Sequence, residues 1–309
     1  MLHGWIILDK PLGLGSTSAV SAVKRALREA GEPKTKIGHG GTLDPLATGV
    51  LPIALGEATK LAGRMLDATK AYNFTIQFGA QTDTLDLEGQ VIATNDHRPT
   101  LADVDAILPR FTGPIEQVPP AYSALKVDGE RAYDLARKGI EVELKTRSVT
   151  IFSLCVSGSL REQEYLAQSR GGAEEVTEIN LSATVSKGTY IRSLARDIAL
   201  ALGTVGHVTM LRRTKAGPFT LEQAKSLDFL MQAAKARALT RMVLPLTAGL
   251  DDIPALPVTP DQARLLRQGQ MLFGIPAKPG SYLATEAETP VALVEISVDG
   301  CKVIRGFNL

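Results

Sequence analysis

The chain has 309 residues, 44% hydrophobic and 22% charged, with a net charge of +1 at pH 7, which falls within globular composition and leaves room for one large domain and a small one. Two cysteines, Cys155 and Cys301, lack paired spacing, and His3, His39, His97 and His207 never fall at i and i+4, so neither a disulfide framework nor a standard zinc site is expected. The apolar segments are too short or too broken by charge for a signal peptide or membrane helix, and a cytoplasmic protein is expected.

Divided along the chain, the charge is uneven. Residues 181–225 carry Lys187, Arg192, Arg196, Arg212, Arg213, Lys215 and Lys225 against Asp197 and Glu222, a net of +5. Residues 81–106 carry Asp83, Asp86, Glu88, Asp96, Asp103 and Asp105 against Arg98, a net of -5. Two readings stay open: a face for a polyanion such as RNA, or two solvated surfaces that cancel.

In chain order, Trp5 to Asp9 reads as a strand broken by PLGLG, and Ser16, Thr17 and Ser18 offer cap oxygens to a helix that closes on Gly31. The apolar run 49–56 suits a buried strand or helix start. Tyr72 to Phe78 alternates, with Tyr72, Phe74, Ile76 and Phe78 on one side of a strand. A strand from Glu88 to Ala93, a helix from Leu101 to Phe111 and an extended segment through Pro119-Pro120 follow. Residues 127–148 alternate charge and read as a protrusion, and 161–177 as a polar loop or hairpin tip. Then come a strand from Glu178 to Val185, a helix from Thr189 to Leu202 and a strand from His207 to Arg213.

Strands and helices mix without βαβ rhythm, so the expected class is α+β with a largely antiparallel sheet. The proline-rich stretch 251–257 reads as a linker, followed by a short helix from Thr259 to Gln268 and short strands over 281–309. That appendage is too small for an independent core and is expected to lean on the main domain. The expected division is thus 1–250 and 251–309.

Nucleotide-phosphate motifs fail. GEATK, 56–60, lacks the two-glycine GxxxxGK[ST] frame, and GHGG, 38–41, does not complete GxGxxG because residue 43 is Leu. His39-Gly40-Gly41 is similar to an esterase oxyanion loop, but GxSxG occurs nowhere. Asp44, after glycines and before Pro45, reads locally as a turn residue. A functional reading draws on Tyr72, on Arg192 at the start of the IRSLARDIA helix, and on the basic strand HVTMLRR. An arginine at a helix start suits bidentate pairing with a carboxylate in a glycine-lined cleft.

The stretch GHGGTLDPLATGVLPIALGEATK, with GWIILDKPLGLGSTSAV, KAYNFTIQFG, VPPAYSALKVDGERAYDLAR and KGTYIRSLARDIA, resembles the bacterial tRNA pseudouridine-55 synthases. The motifs cover most of residues 4–217 in the family's order; the tail after about 250 resembles the family's small PUA-like domain only weakly.

The resemblance implies the pseudouridine synthase fold, a central mostly antiparallel mixed sheet flanked by helices. The implied activity is isomerisation of one uridine in the T arm of tRNA, without cofactor or catalytic metal. It assigns Asp44 as catalytic aspartate, Arg192 as its partner and Tyr72 as the tyrosine that stacks on the base and helps remove the C5 proton. His39 matches the histidine that fills the space a flipped base leaves, and Leu211 an apolar residue packed on the flipped uracil.

Lys10 matches a family lysine expected to shape the site or touch RNA backbone, and Arg212, Arg213 and Lys215 are candidate phosphate contacts. Residues 127–148 match a mobile insertion that closes on the T arm. Gly40 stands where many relatives carry Thr or Ser, a change expected to loosen the loop. The acidic segment 161–177 is expected to lie away from the RNA.

Two other readings are a guide-RNA-dependent synthase, against which the ATGVLPIALGEATK continuation and short tail argue, and a non-catalytic tRNA-folding or RNA-binding protein, against which the intact Asp44, Tyr72 and Arg192 argue. A monomer without membrane contact or obligate protein partner is expected.

Overall fold

A computed structural model describes residues 2–123, 125–127, 129–139, 144–157 and 175–309. The alternation in KAYNFTIQF forms strand Lys70–Phe78, whose Phe74, Ile76 and Phe78 are buried; each such side chain contributes about 1.5–3 kcal/mol of burial. This strand lies inside a ten-stranded sheet. In space the order runs Lys225–Ser226, Gly4–Lys10, Ala47–Leu55, Gly206–Ala216, Lys70–Phe78, Glu178–Val185, Arg147–Val156 and Gly113–Gln117.

Parallel pairing joins Gly4–Lys10 to Lys225–Ser226 and Ala47–Leu55 to Gly206–Ala216; the other ladders of this sheet are antiparallel. The expected α+β class with a mostly antiparallel mixed sheet holds. The parallel pair matters for function: it sets the strand after Asp44 beside the strand that carries Leu211, Arg212 and Arg213. Arg213 stands opposite Gly49, where a side chain in place of hydrogen would strike the Arg213 backbone.

Helix Ile191–Ala201 buries Leu194 and Ile198 against Phe74, Ile76 and Phe78. Helices Ser16–Glu29 and Leu227–Lys235 pack together over Ile6, Leu8, Leu51 and Ile53. The apolar run 49–56 resolves as strand Ala47–Leu55. The serine cap expected for helix Ser16–Glu29 is not used: Gly15 is the cap residue without a side-chain bond. Ser16 Oγ instead donates to the Leu43 carbonyl at 2.9 Å and accepts from its N–H at 2.8 Å. A tertiary partner has outcompeted the local one.

Beyond Leu250 a separate four-stranded sheet forms from Ala255–Pro257, Gly280–Glu286, Thr289–Ser297 and Gly300–Gly306. The stretch read as a linker is in part a strand, because Ala255–Pro257 pairs in parallel with Gly280–Glu286. Helix Pro260–Arg267 starts with a reciprocal capping box between Thr259 and Gln262. Leu283, Leu293 and Phe307 of this tail share a core with Trp5, Phe219, Leu246 and Leu250, so the appendage does lean on the main body.

Within 127–148 the described residues form the strand pair Lys126–Val127 and Glu130–Arg131 and helix Ala132–Arg137. Most of the acidic segment 161–177, through residue 174, lies outside the described residues. Among the described residues no helix is long and apolar enough to cross a membrane.

Candidate active site

The Asp44 loop is fixed from beneath by two buried cations bound to its carbonyls. Lys10 Nζ, on strand Gly4–Lys10, donates to Pro11 O at 3.0 Å, Leu14 O at 2.6 Å and Pro45 O at 3.1 Å. Arg213 donates to Gly41 O at 3.3 Å, Thr42 O at 3.2 Å and Val50 O at 2.7 Å. At 1% exposure Arg213 is not free for the phosphate contact expected of it. Of the two roles expected of Lys10, at 0% exposure, shaping the site or touching RNA backbone, its bonds match the first. Burial lowers the Lys10 pKa to about 8, with the nearby Asp44 acting in the opposite sense.

Gly40 is buried, and a Cβ there would come within 2.6 Å of Met65 Cβ. With Met65 in this position, a larger residue at 40 would force a shift of Met65. With its backbone held in this way, Asp44 turns its carboxylate toward a cavity of about 320 Å³ and keeps its side chain 39% exposed.

Arg192 Nη2 meets Asp44 Oδ2 at 2.9 Å. The expected bidentate pairing is not formed, because the guanidinium is shared. Its Nη1 lies 3.4 Å from Asp86 Oδ2 and donates to Thr84 O at 2.8 Å, while Nη2 also donates to Tyr122 O at 3.0 Å. Asp86 and the carbonyls of Thr84 and Tyr122, three groups, thus orient one nearly buried arginine, which in turn orients Asp44. Gln117, fully buried, bonds both N–H and C=O of Tyr190 and so fixes the chain entering helix Ile191–Ala201.

Tyr72 and Leu211 are partly buried and line the same cavity as Asp44 and Arg192, together with Tyr190 and Lys70. Lys70 donates to Leu66 O and Ala68 O, and burial lowers its pKa to about 8. Burial raises the Tyr190 phenol above its ordinary value. Among the described residues the cavity is lined largely by apolar surface, with Asp44 as carboxylate and Lys70, Arg192 and Arg213 as cations, which suits a flat polar ring bearing a sugar-phosphate.

A second cleft, of about 740 Å³, opens on the other side of Asp44 and is lined by His39, Thr17, Asp83, Asp86, Glu88 and Arg137 among others. His39 thus flanks Asp44 from outside the smaller cavity. Burial and then Arg213 hold its imidazole below the usual range, and its buried Nδ1 has no hydrogen-bond partner among the described residues. Burial, then Asp86 and Asp44, raise the Glu88 carboxyl.

The net +5 of residues 181–225 is largely answered inside the protein. Carboxylates from outside the segment meet Arg192 (Asp44 and Asp86), Arg212 (Asp9, 2.8 Å) and Lys187 (Asp67, 2.9 Å), while Arg196 pairs at 2.8 Å with Asp197, already counted in the net. Lys215 is exposed, and among the described residues it has no ion pair.

Sequence reasoning missed Asp86, Thr84, Tyr122, Tyr190, Gln117 and Lys70. Asp86 belongs by sequence to an acidic run that reads as solvated, yet it is 6% exposed. The turn that buries it passes through Leu85 at φ 63°, a left-handed conformation with no glycine to announce it. Tyr190 lies within GTYIR, and its neighbourhood of Arg192 is the signal that could have found it. Among the described residues no three His, Cys, Asp or Glu side chains are grouped so as to hold a metal ion.

The family model described as TruB family pseudouridylate synthase (N terminal domain) matches residues 24–191, and that of the tRNA pseudouridylate synthase B C-terminal domain matches residues 192–251. The chain is 62% identical to tRNA pseudouridine synthase B of Novosphingobium aromaticivorans, over 100% of this chain and 98% of that protein. It is 57% identical to tRNA pseudouridine synthase B of Zymomonas mobilis, over 99% of this chain and 96% of that protein. A solved H/ACA RNP bound to a substrate RNA containing 2'-deoxyuridine holds a chain of the same fold, with TM-score 0.71 at 23% identity over 99% of this chain and 86% of that one. The chain therefore belongs to the TruB family of pseudouridylate synthases.

Proposed function

We propose that this chain, as a tRNA pseudouridine synthase, isomerises the T-loop uridine at position 55, with Asp44 as nucleophile, Arg192 as the group that holds it and Tyr72 against the base. The observation that supports this reading most is the Asp44 carboxylate at the mouth of a Tyr72- and Leu211-lined cavity, 2.9 Å from a nearly buried arginine. In the reaction the N1–C1' bond breaks, a C5–C1' bond forms, the C5 proton leaves and N1 gains a proton. The balance needs no oxidant, reductant or transferred group.

A stacked uridine hides its glycosidic bond, so the base must leave the stack at a cost of a few kcal/mol. His39 takes up the space the base vacates, a role supported by its lining the wider cleft together with Asp44. Leu211 and Tyr72 then sandwich the uracil while Arg192 keeps the carboxylate aimed. Residues 127–148 act as an insertion that closes on the T arm, and 251–309 act as a small PUA-like RNA-binding module attached to a catalytic domain over 1–250. The protein works as a cytoplasmic monomer without cofactor, guide RNA or partner protein.

The test is incubation of the purified chain, with EDTA, on unmodified tRNA transcript, followed by carbodiimide-blocked primer extension. One modified T-loop uridine is the expected result. Tight tRNA binding without product would overturn it in favour of a guide-dependent or purely RNA-folding protein.

A further inference from the structure

One basic region of the molecule has no part in the site described above. Between the last turns of helix Ser16–Glu29 and residues 32–35 lies a groove of about 480 Å³, lined by Lys24, Arg25, Arg28 and Lys34, with Glu32 as its one carboxylate. Lys24, Arg25, Arg28 and Lys34 are exposed. Among the described residues, none of these four cations forms an ion pair. Leu27 and Pro33 give the groove an apolar floor. Clustered cations without carboxylate partners are the footprint of a polyanion, because each phosphate they neutralise releases condensed counterions.

The helix also connects this groove to the site. Its first residue, Ser16, is bonded to Leu43 of the Asp44 loop, and Thr17 lines the wider cleft beside Asp44. From Ser16 to Arg28 the rise is about 18 Å at 1.5 Å per residue. Thr17, Ser21, Lys24 and Arg28 are exposed at spacings of four, three and four residues, so they form one outer stripe from cleft to groove. Its polarity changes along that path, from hydroxyls beside Asp44 to cations at the far end.

Resting on the reading that the cleft takes a tRNA uridine, we propose that this groove, about 18 Å along the helix from Ser16, grips the sugar-phosphate backbone of the same tRNA. It is a positioning surface that adds affinity and orientation without touching the reacting atoms.

The test is the double variant Arg25→Ala/Arg28→Ala, with tRNA affinity also measured in an Asp44→Asn background so that binding is read independently of catalysis. Expected are a rise in KM and Kd for tRNA of about tenfold near 0.1 M salt, and a fall of about one in the slope of log Kd on log salt for each phosphate no longer neutralised. The kcat and thermal midpoint stay as in the parent protein. An unchanged Kd, an unchanged salt slope or a changed kcat overturns the proposal. If the parent protein makes no pseudouridine, the catalytic reading fails by itself, while the Kd and salt slope still report on the groove.

Discussion

Residues 181–225 and residues 24–36 are both basic, but their cations end in different places. In the first region, Arg192 and Arg213 are buried on fixed partners, and Arg212, Arg196 and Lys187 meet carboxylates at 2.8–2.9 Å. In the second, Lys24, Arg25, Arg28 and Lys34 face solvent around a groove. A desolvated cation is costly unless every donor is satisfied, so Arg192 and Arg213 are fastened by carbonyls and carboxylates and serve as rigid struts. A hydrated cation carries no such penalty and remains available to a partner. Net charge along a sequence does not separate these two uses; burial does.

Within the first region the two struts themselves differ, and substitution sharpens the difference. The largest effect is expected from Arg192→Lys, which keeps the charge but loses the planar fork shared by Asp44, Asp86, Thr84 and Tyr122. Single-turnover pseudouridine formation should fall by roughly 10²–10³-fold, with tRNA affinity little changed. An unaltered rate would mean that Arg192 supplies charge alone.

Arg213→Met should act on stability, because it leaves the carbonyls of Gly41, Thr42 and Val50 unpaired in the interior. A loss of about 2–4 kcal/mol in urea unfolding is expected. Should the unfolding midpoint stay in place while tRNA binding weakens, Arg213 would be an RNA contact after all.

The smallest effect concerns His39. Its folded pKa lies below the usual value through burial and then Arg213. The unfolded chain therefore binds more protons as pH falls past about 6.5. Folding stability is retained above that pH and declines below it, by at most about 1.4 kcal/mol per pH unit for one proton. His39→Gln should flatten the melting temperature between pH 7 and pH 5. An unchanged slope would show that His39 is not held neutral.

Much of the fold was legible because two signals are local. Alternation placed Tyr72–Phe78 on its strand with the correct buried side, and helical spacing placed the helix that starts at Ser16. The side chains that tie distant segments together were not legible. Ser16 looks like a cap and is a clasp on Leu43; Arg213 looks like a surface charge and points inward beside a register shift between Arg213 and Lys215. Asp86 looks like one acid among several, and only the turn at Leu85 brings it to Arg192. At the site, the motif residues Asp44, Arg192, Tyr72 and Leu211 did converge on one cavity. The groups that hold them are largely backbone carbonyls, which carry no residue-specific sequence signal.

The central claim is that Asp44, held by Arg192, performs the chemistry and does not merely complete a loop. The most direct measurement is single-turnover pseudouridine formation by Asp44→Asn at saturating tRNA, alongside its Kd. The substitution preserves size and removes the charge. Loss of product by at least about 10³-fold, with a Kd within a few-fold of the parent protein, is the result expected for a covalent or proton-transfer role. Turnover near the parent rate would contradict the claim and return Asp44 to the status of a turn residue.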